Sequence, residues 1–374
     1  MNIATQVFGK EATIALDALL KPVSRYYVRC NTRLVAPEDL AKKLEARGLN
    51  VHQHPAVPEA LSIDVEGTFE IQEAEQRIVV DKKAAESVLQ GANVYSPGVL
   101  ACGATRVGDL VNVVSEFDDV LAYGEATMSA NEILTFRRGL AVRISERRFK
   151  APQVRELPEY SEGLLYPQSL PAMLTSHVLD PKQGETIVDM NCAPGGKLSH
   201  LSQLTQNAGK VIGFDRNSHK VAQARETVAR LGCTNVTLSV HDSRYLDVDM
   251  PDLKADRVLI DPPCSALGLR PKIYDFTEEN RVMQLAEYQK QFINAASRVV
   301  KPSGFIVYSV CTFTRQECEQ IVEYAERECG LRVVEQEPFL GSKGLIDISP
   351  SGASCQRFHP HLHEIGYFIA KFTR

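Results

Sequence analysis

The sequence has no tryptophan, which bears on no function, but its other absences are informative. It has no run of eighteen apolar residues, which excludes a transmembrane helix. Residues 1–10 carry no apolar core behind positive charge, so a secretory signal is not expected. The nine cysteines are odd in number and scattered. None forms a Cys-x-x-Cys pair, which argues against a disulfide framework and against structural zinc. A reducing, cytoplasmic setting and no metal are expected. The Gly-x-Gly-x-x-Gly fingerprint of a nicotinamide site is missing. Positive charge is short overall: the net charge of −5 excludes a general nucleic-acid binder, so local patches must carry any such role.

What is present divides into three segments. With 374 residues, 44% of them hydrophobic, the chain can build two or three domains with cores of their own. Residues 1–77 read as a small α+β subdomain. A helix runs to about residue 22, with Ile14, Leu16, Leu19 and Leu20 on one face and Pro22 as its stop. Strands follow at 26–31 and 60–65, with a helix at 37–49 between them. Residues 78–155 carry short strands at 94–95, 99–100, 110–114, 121–123 and 140–144, with turn signals about every ten residues, the pattern of a small β-barrel. Between residues 131 and 156 seven basic residues face three acidic ones, a patch able to meet phosphates.

Through 156–374 strands at 186–190, 210–214, 235–240, 256–260 and 304–309 alternate with helices at 197–206, 217–231, 278–300 and 315–329, and a last strand at 365–372 reads as an antiparallel partner. This is an α/β, doubly wound, Rossmann-like arrangement. Its centre is Asp189-Met190-Asn191-Cys192-Ala193-Pro194-Gly195-Gly196-Lys197. A strand enters a Pro-Gly-Gly loop and then a helix, and open α/β sheets bind ligands beyond the carboxyl ends of their strands. A glycine pair alone is an ordinary tight turn, and a single Asp is more often a turn former or helix cap. The series of acids is different. Asp215 ends the second strand, where it can accept both ribose hydroxyls. Asp242 ends the third, where an adenine amino group could donate to it. Asp261 ends the fourth. The expected S-adenosylmethionine site is therefore the loop Asn191, Cys192, Ala193, Pro194, Gly195, Gly196 and Lys197 together with these three carboxylates. The fourth strand continues into Asp261-Pro262-Pro263-Cys264-Ser265 and the fifth into Ser309-Val310-Cys311-Thr312. If these strands are neighbours, two cysteines emerge side by side above the methyl donor. One buried cysteine is usually packing; two at adjacent strand ends are poorly explained that way.

These motifs resemble known families. The run from Gly91-Ala92-Asn93-Val94-Tyr95-Ser96-Pro97-Gly98 through Gly108-Asp109-Leu110-Val111 and Ala122-Tyr123-Gly124-Glu125-Ala126 to Gly139-Leu140-Ala141-Val142 resembles a PUA domain, an RNA-binding barrel of tRNA and rRNA modification enzymes. The remainder resembles the Sun-type (NSUN) RNA cytosine-5 methyltransferases, in their PUA-bearing branch. Tyr26-Tyr27-Val28-Arg29-Cys30-Asn31-Thr32 resembles the start of the family's N-terminal subdomain, Tyr166-Pro167-Gln168-Ser169-Leu170-Pro171-Ala172-Met173 its lead-in motif, and Gln356-Arg357-Phe358-His359-Pro360 its C-terminal signature. The chain departs from the family at Asn191-Cys192-Ala193, where Cys-Ala-Ala is frequent, at Pro262, where Ala is common, and at Ala266, where Gly is usual. No departure removes a reactive group.

Cytosine explains the need for thiols. Its carbon 5 is a poor nucleophile until a thiolate adds to carbon 6 and makes carbon 5 an enamine carbon. Asp261 is placed to hold a proton at N3. Chemistry alone does not choose the attacking cysteine; in DNA cytosine-5 methyltransferases it is the Pro-Cys one. The resemblance implies Cys311 as nucleophile and Cys264 as an aid to release, while Lys197 would orient Asp261 or the donor's carboxylate. It also implies a tRNA substrate, with the PUA domain on the 3′ CCA end and the target near the top of the acceptor stem. Asn93, Tyr95, Arg106, Asn131, Arg137 and Arg138 are the candidate RNA contacts. A monomer with no obligate protein partner and no membrane association is expected. The alternatives are an rRNA cytosine-5 methyltransferase and a non-catalytic RNA-binding assembly factor that retains a donor pocket; the intact Cys264 and Cys311 favour an enzyme. His359-Pro360-His361-Leu362-His363 lacks a Cys or carboxylate partner at ligand spacing and is read as a surface turn. Cys318 and Cys329 are expected in a helix core.

Overall fold

Parallel strands buried on both faces need helices on both sides. In the computed structural model, which describes residues 3–273 and 277–374, Ile187, Val188, Val258, Leu259, Ile260, Ile306 and Val307 are all inaccessible to solvent. They belong to a nine-stranded sheet. Its first to fifth strands are Thr186–Asp189, Lys210–Asp215, Val236–Val240, Ala255–Ile260 and Val300–Val310, all parallel, in the spatial order third, second, first, fourth, fifth. Tyr367–Thr373 pairs antiparallel with the fifth strand, as expected, and Gln356–Phe358 pairs with it in turn. Helices Glu279–Val299 and Glu319–Cys329 cover one face around Val258, Ile260, Phe292 and Tyr308. Leu170–Leu179 and Gly196–Leu204 cover the other, around Leu174, Leu198, Leu201 and Leu259. Strand order reverses at the first strand, so the Pro-Gly-Gly loop and the exits of the fourth and fifth strands share one edge, where such folds open a crevice.

A four-stranded sheet runs in the order Leu165–Pro167, Arg25–Cys30, Ala60–Asp64, Val51–Gln53. Its strongest ties to the large sheet are polar and buried. Arg29 donates to Gln168 Oε1 and Gly196 O, each at 2.6 Å, and to Ser199 Oγ at 2.7 Å. Burial holds its guanidinium down at about 10. One oxygen of Glu59 accepts from His177 at 2.5 Å and from His200 at 2.8 Å. Burial raises that carboxyl, and the two imidazoles outweigh it to hold the acid well below its ordinary range. A separate six-stranded sheet, in the order Val94–Tyr95, Leu140–Arg147, Val120–Ala126, Leu110–Val114, Gln76–Val80, Val99–Ala101, curls around Ile78, Val113, Ile133 and Val142 as a barrel.

Two expectations need correction. The helix read over 1–22, of which residues 1 and 2 lie outside the described residues, is two helices, Ile3–Phe8 and Ala12–Leu19. Its buried face is Ala4, Phe8, Ala12, Ala15 and Leu19, whereas Ile14, Leu16 and Leu20 are exposed. Alanines let the helices sit close to Leu267, Val282 and Phe313, and close approach outweighs side-chain size. The histidine-rich turn is no open surface turn either. Phe8 packs on His359 and His361 at 5.4 and 5.6 Å between ring centres, and His361 pairs with Glu11.

Arg357 joins the C-terminal hairpin to the helix Glu319–Cys329. Its guanidinium holds both oxygens of Glu319 and donates to Phe313 O, with both side chains of the pair fully buried. Removing one partner leaves an uncompensated buried charge, so Arg357→Ala should lower unfolding stability by about 3–5 kcal/mol in urea titration. A loss below about 1 kcal/mol would mean that Glu319 finds another partner.

Candidate active site

The cleft begins at the loop after the first strand. Gly195 has φ +102 and starts the helix Gly196–Leu204. A Cβ there would lie 3.1–3.3 Å from Thr227 and Ala224, and one on Gly196 would meet the Tyr166 ring at 2.8 Å. Glycine is therefore required at both positions. The loop, the strand ends and the helix Glu279–Val299 enclose a cavity of about 380 Å3, lined by Asn191, Ala193, Asp215, Asp242, Asp261, Cys264 and Cys311. Arg216, Lys220, Tyr288 and Phe292 also line it, and no sequence motif had singled them out. Cys192 faces away, into the apolar cluster beneath the loop, where burial raises its thiol. Asp189 sits below the cavity, its carboxyl pushed up to about 7 by burial. Asp215 accepts from Asn217 N at 2.9 Å. Asp242 is clasped by Arg244 at 2.6–3.2 Å, and that hydrogen bonding holds it below its ordinary value. Arg244 in turn lies 4.7 Å from the Tyr288 ring centre.

The register of the fourth and fifth strands sets Ile260 beside Tyr308. The two loops that leave them bring Cys264 Sγ to 3.4 Å from Cys311 Sγ. A thiol donating across this contact stabilises the other sulfur as thiolate. The direction favoured is Cys264 as donor, with Cys311 lowered by that hydrogen bond and Cys264 raised by it and by burial. Ala266 adopts φ +55 just beyond Cys264, a conformation that costs an alanine roughly 1–2 kcal/mol. Beyond it, Gly268 N donates to Cys311 O at 3.1 Å.

Asp261 stands beside the pair. Lys197 Nζ lies 2.6 Å from its Oδ2, and Ser309 Oγ donates to its Oδ1 at 3.1 Å. Burial lowers Lys197, but the charge of Asp261 and the neighbouring Tyr367 outweigh it and hold the ammonium above its ordinary value. Of the two orientations expected for Lys197, the geometry has it on Asp261.

Of the barrel residues, Tyr95, Arg106, Asn131, Arg137 and Arg138 are exposed and Asn93 is half-buried. Arg137 donates to Val99 O at 2.6 Å and Pro97 O at 2.9 Å, and Asn93 Oδ1 accepts from Ile144 N at 3.0 Å, so both are engaged within the barrel. Leu100, Leu134 and Phe136, all exposed, lie on elements that meet at this turn.

Comparisons with known proteins agree with this geometry. Residues 176–373 match the family model described as 16S rRNA methyltransferase RsmB/F, and residues 76–147 match the PUA domain. A tRNA (cytosine(72)-C(5))-methyltransferase from Pyrococcus horikoshii is 39% identical, over 98% of this chain and 94% of its own length. One from Homo sapiens is 30% identical, over 100% of this chain and 94% of its own length. A crystal structure of NSun6 from Pyrococcus horikoshii with SFG, an S-adenosylmethionine analogue, superposes with a TM-score of 0.90 at 38% identity, covering 99% of this chain and 96% of that one.

The residues present fit that methyl donor. Its ribose diol and adenine amino group are donors, and the cleft offers carboxylate acceptors beside a loop that leaves no room for Cβ atoms. A hydrogen bond to a charged group contributes on the order of 1.5–3 kcal/mol. Asp215→Ala should therefore weaken S-adenosylmethionine binding roughly tenfold or more by calorimetry; unchanged affinity would put the ribose elsewhere.

Proposed function

The chain belongs to the 16S rRNA methyltransferase RsmB/F family, carries a PUA domain and is an S-adenosylmethionine-dependent RNA cytosine-5 methyltransferase, and we propose that it acts on a cytosine near the 3′ end of the tRNA acceptor stem through a covalent cysteine–cytosine intermediate. The observation that carries the chemistry is the 3.4 Å contact between Cys264 and Cys311 at the rim of the donor cleft, with Asp261 alongside.

Asp215 and Asp242 would hold the ribose and adenine ends of the donor, which supplies an electrophilic methyl group when bound. Cys311, favoured as thiolate, adds to carbon 6 of the cytosine. Negative charge then gathers on the N3 side of the ring, where N3 takes a proton from water and donates it in a hydrogen bond to the Asp261 carboxylate. Lys197 keeps Asp261 in position and balances its charge. Carbon 5 carries the new methyl group until its proton passes to water; the electron pair of that C–H bond forms the double bond to carbon 6 and expels the Cys311 thiolate, and N3 gives back its proton. Cys264, protonated and in contact with Cys311, can return a hydrogen bond to the departing sulfur. The target base must be unpaired or extruded for carbon 6 to be reached.

The PUA barrel provides a second grip on the 3′ CCA end. Tyr95 and Phe136 offer exposed rings to stack on, and Arg106, Arg138 and Asn131 offer exposed polar groups. Arg137 contributes by holding the 97–99 turn in shape. The near-full-length likeness to two enzymes named for cytosine 72 supports the acceptor-stem reading.

Labelled donor, tRNA and rRNA followed by nucleoside analysis test the reaction; 5-methylcytidine should appear in tRNA, and its absence from both RNAs would leave a non-catalytic binder. For the thiols, Cys311→Ala should abolish methylation with donor binding intact, and Cys264→Ala should accumulate a protein–RNA adduct that survives denaturation. An adduct with Cys311→Ala and none with Cys264→Ala would reverse the two roles. For the grip, base–aromatic stacking is worth about 1–3 kcal/mol per base, so Tyr95→Ala should weaken tRNA binding at least fivefold or so. Removing the CCA end should weaken binding by more, and equal methylation of tRNA with and without CCA would reject this grip while leaving the chemistry untouched.

A further inference from the structure

Glu317 follows the second cysteine loop and is fully buried. Its carboxylate meets four neutral donors. Oε1 accepts from Ser265 N at 2.9 Å and from Gln289 Nε2 at 3.0 Å. Oε2 accepts from Ser265 Oγ at 2.5 Å and Thr314 Oγ1 at 2.9 Å. Thr312 Oγ1 lies 2.7 Å from Ser265 Oγ and extends the chain back to the residue after Cys311. Gln289 also donates to Pro263 O, the carbonyl just before Cys264, and accepts from Tyr308 Oη, which donates to Glu317 O as well. One carboxylate thus ties Ser265, next to Cys264, to Thr312 and Thr314, just past Cys311. A buried carboxylate is costly unless its lone pairs are satisfied, and here all the satisfaction comes from the two cysteine loops and the helix residue that braces them.

Resting on the reaction proposed above, we propose that Glu317 is a positioning residue, whose buried carboxylate clamps the Cys264 loop against the Cys311 loop and thereby sets the contact between the two sulfurs. It touches no reacting atom. The groups that face Cys311 are Cys264, Asp261 and Lys197, so a loosened clamp removes the Cys264 hydrogen bond and leaves the other two in place.

The geometry also dictates which substitution is tolerated. Glutamine at this position can keep its oxygen toward the two N–H donors and turn its amide toward Ser265 and Thr314, whose hydroxyls can accept instead. Alanine keeps neither set. The test is the pH dependence of iodoacetamide alkylation at Cys311 in the full chain, read by mass spectrometry of its peptide, with S-adenosylmethionine affinity as the control for folding. Loss of a neutral hydrogen bond to the thiolate should raise the alkylation midpoint in Glu317→Ala by about one pH unit. Methylation kcat should fall with KM for tRNA little changed, and Glu317→Gln should restore both readouts toward the parent. A midpoint in Glu317→Ala equal to the parent's overturns the proposal. So does a Glu317→Gln variant shifted as far as Glu317→Ala, because charge rather than position would then be responsible. Should Glu317→Ala fail to bind donor, Ser265→Ala takes its place: a shift in the same direction supports the clamp, and no shift overturns it. Alkylation needs neither RNA nor donor, so a parent enzyme that made no 5-methylcytidine would refute the proposed reaction and leave this readout standing.

Discussion

Parallel pairing of the fourth and fifth strands is the constraint on which the site depends. Ile260 lies level with Tyr308, and each cysteine follows within a few residues. Side chains alternate between two packed faces, so a slip of one residue would exchange the sets that meet the two helix layers. The register is therefore fixed by burial of Val258, Ile260, Ile306 and Tyr308 long before any thiol chemistry is at stake. The antiparallel strand Tyr367–Thr373 closes the other edge of the fifth strand, and Gly366 donates to Gly268 O at 2.7 Å, so the loop beyond Cys264 is held from that side too. At Gly268 and Gly366 the two backbones touch; a Cβ on Gly268 would lie 2.0 Å from Gly366 O.

Around this frame the buried polar groups do the joining. Arg29 binds the N-terminal sheet to the donor loop, Glu59 binds it to two helices, and Arg357 with Glu319 binds the C-terminal hairpin to the helix beneath it. A buried ion pair is weak evidence for stability, because desolvation offsets most of its attraction. What each of these contacts supplies is geometry between elements far apart in sequence. Apolar packing tolerates small sliding; a guanidinium holding a carbonyl at 2.6 Å does not. A loop packed so closely on Thr227, Ala224 and Tyr166 that Gly195 and Gly196 admit no Cβ gains from such anchors.

Much of this was legible from the sequence because it rests on local chemistry. Strand–Pro-Gly-Gly–helix, acids at strand ends and cysteines after two neighbouring strands are patterns of residue type and spacing, and the five parallel strands and Tyr367–Thr373 fall within a few residues of where apolar periodicity puts them. The misreadings share a physical origin in tertiary choice. Ile14, Leu16 and Leu20 satisfy a helical apolar face, yet the chain buries the alanine face, since nothing local says how close Leu267 and Phe313 will come. Arg137 counts as a cation in any charge tally, but a left-handed backbone at φ +50 folds its guanidinium onto the barrel's own carbonyls. Glu317 looks like one more acid on a charged helix approach. Only the assembled loops reveal that its four donors come from both cysteine segments and from Gln289 on the helix that braces them.

The electrostatics of the cleft follow the same logic of pairing. Four carboxylates crowd the strand ends, which would oppose a thiolate if all acted as free charges. They do not. Asp189 is buried below the cavity with its carboxyl near 7, Asp242 is matched by Arg244, and Asp261 is matched by Lys197. Paired acids keep their lone pairs for orientation while contributing little net field at a distance. Among the influences on Cys311, the Cys264 hydrogen bond lowers the thiol most, burial and Asp261 raise it, and Lys197 offsets Asp261. Asp215 accepts from Asn217 N, and Glu317 stands behind Cys264, where its carboxylate raises that thiol. Pairing or hydrogen bonding thus fixes each acid in place as an acceptor, which suits a nucleophilic thiolate beside a cationic methyl donor.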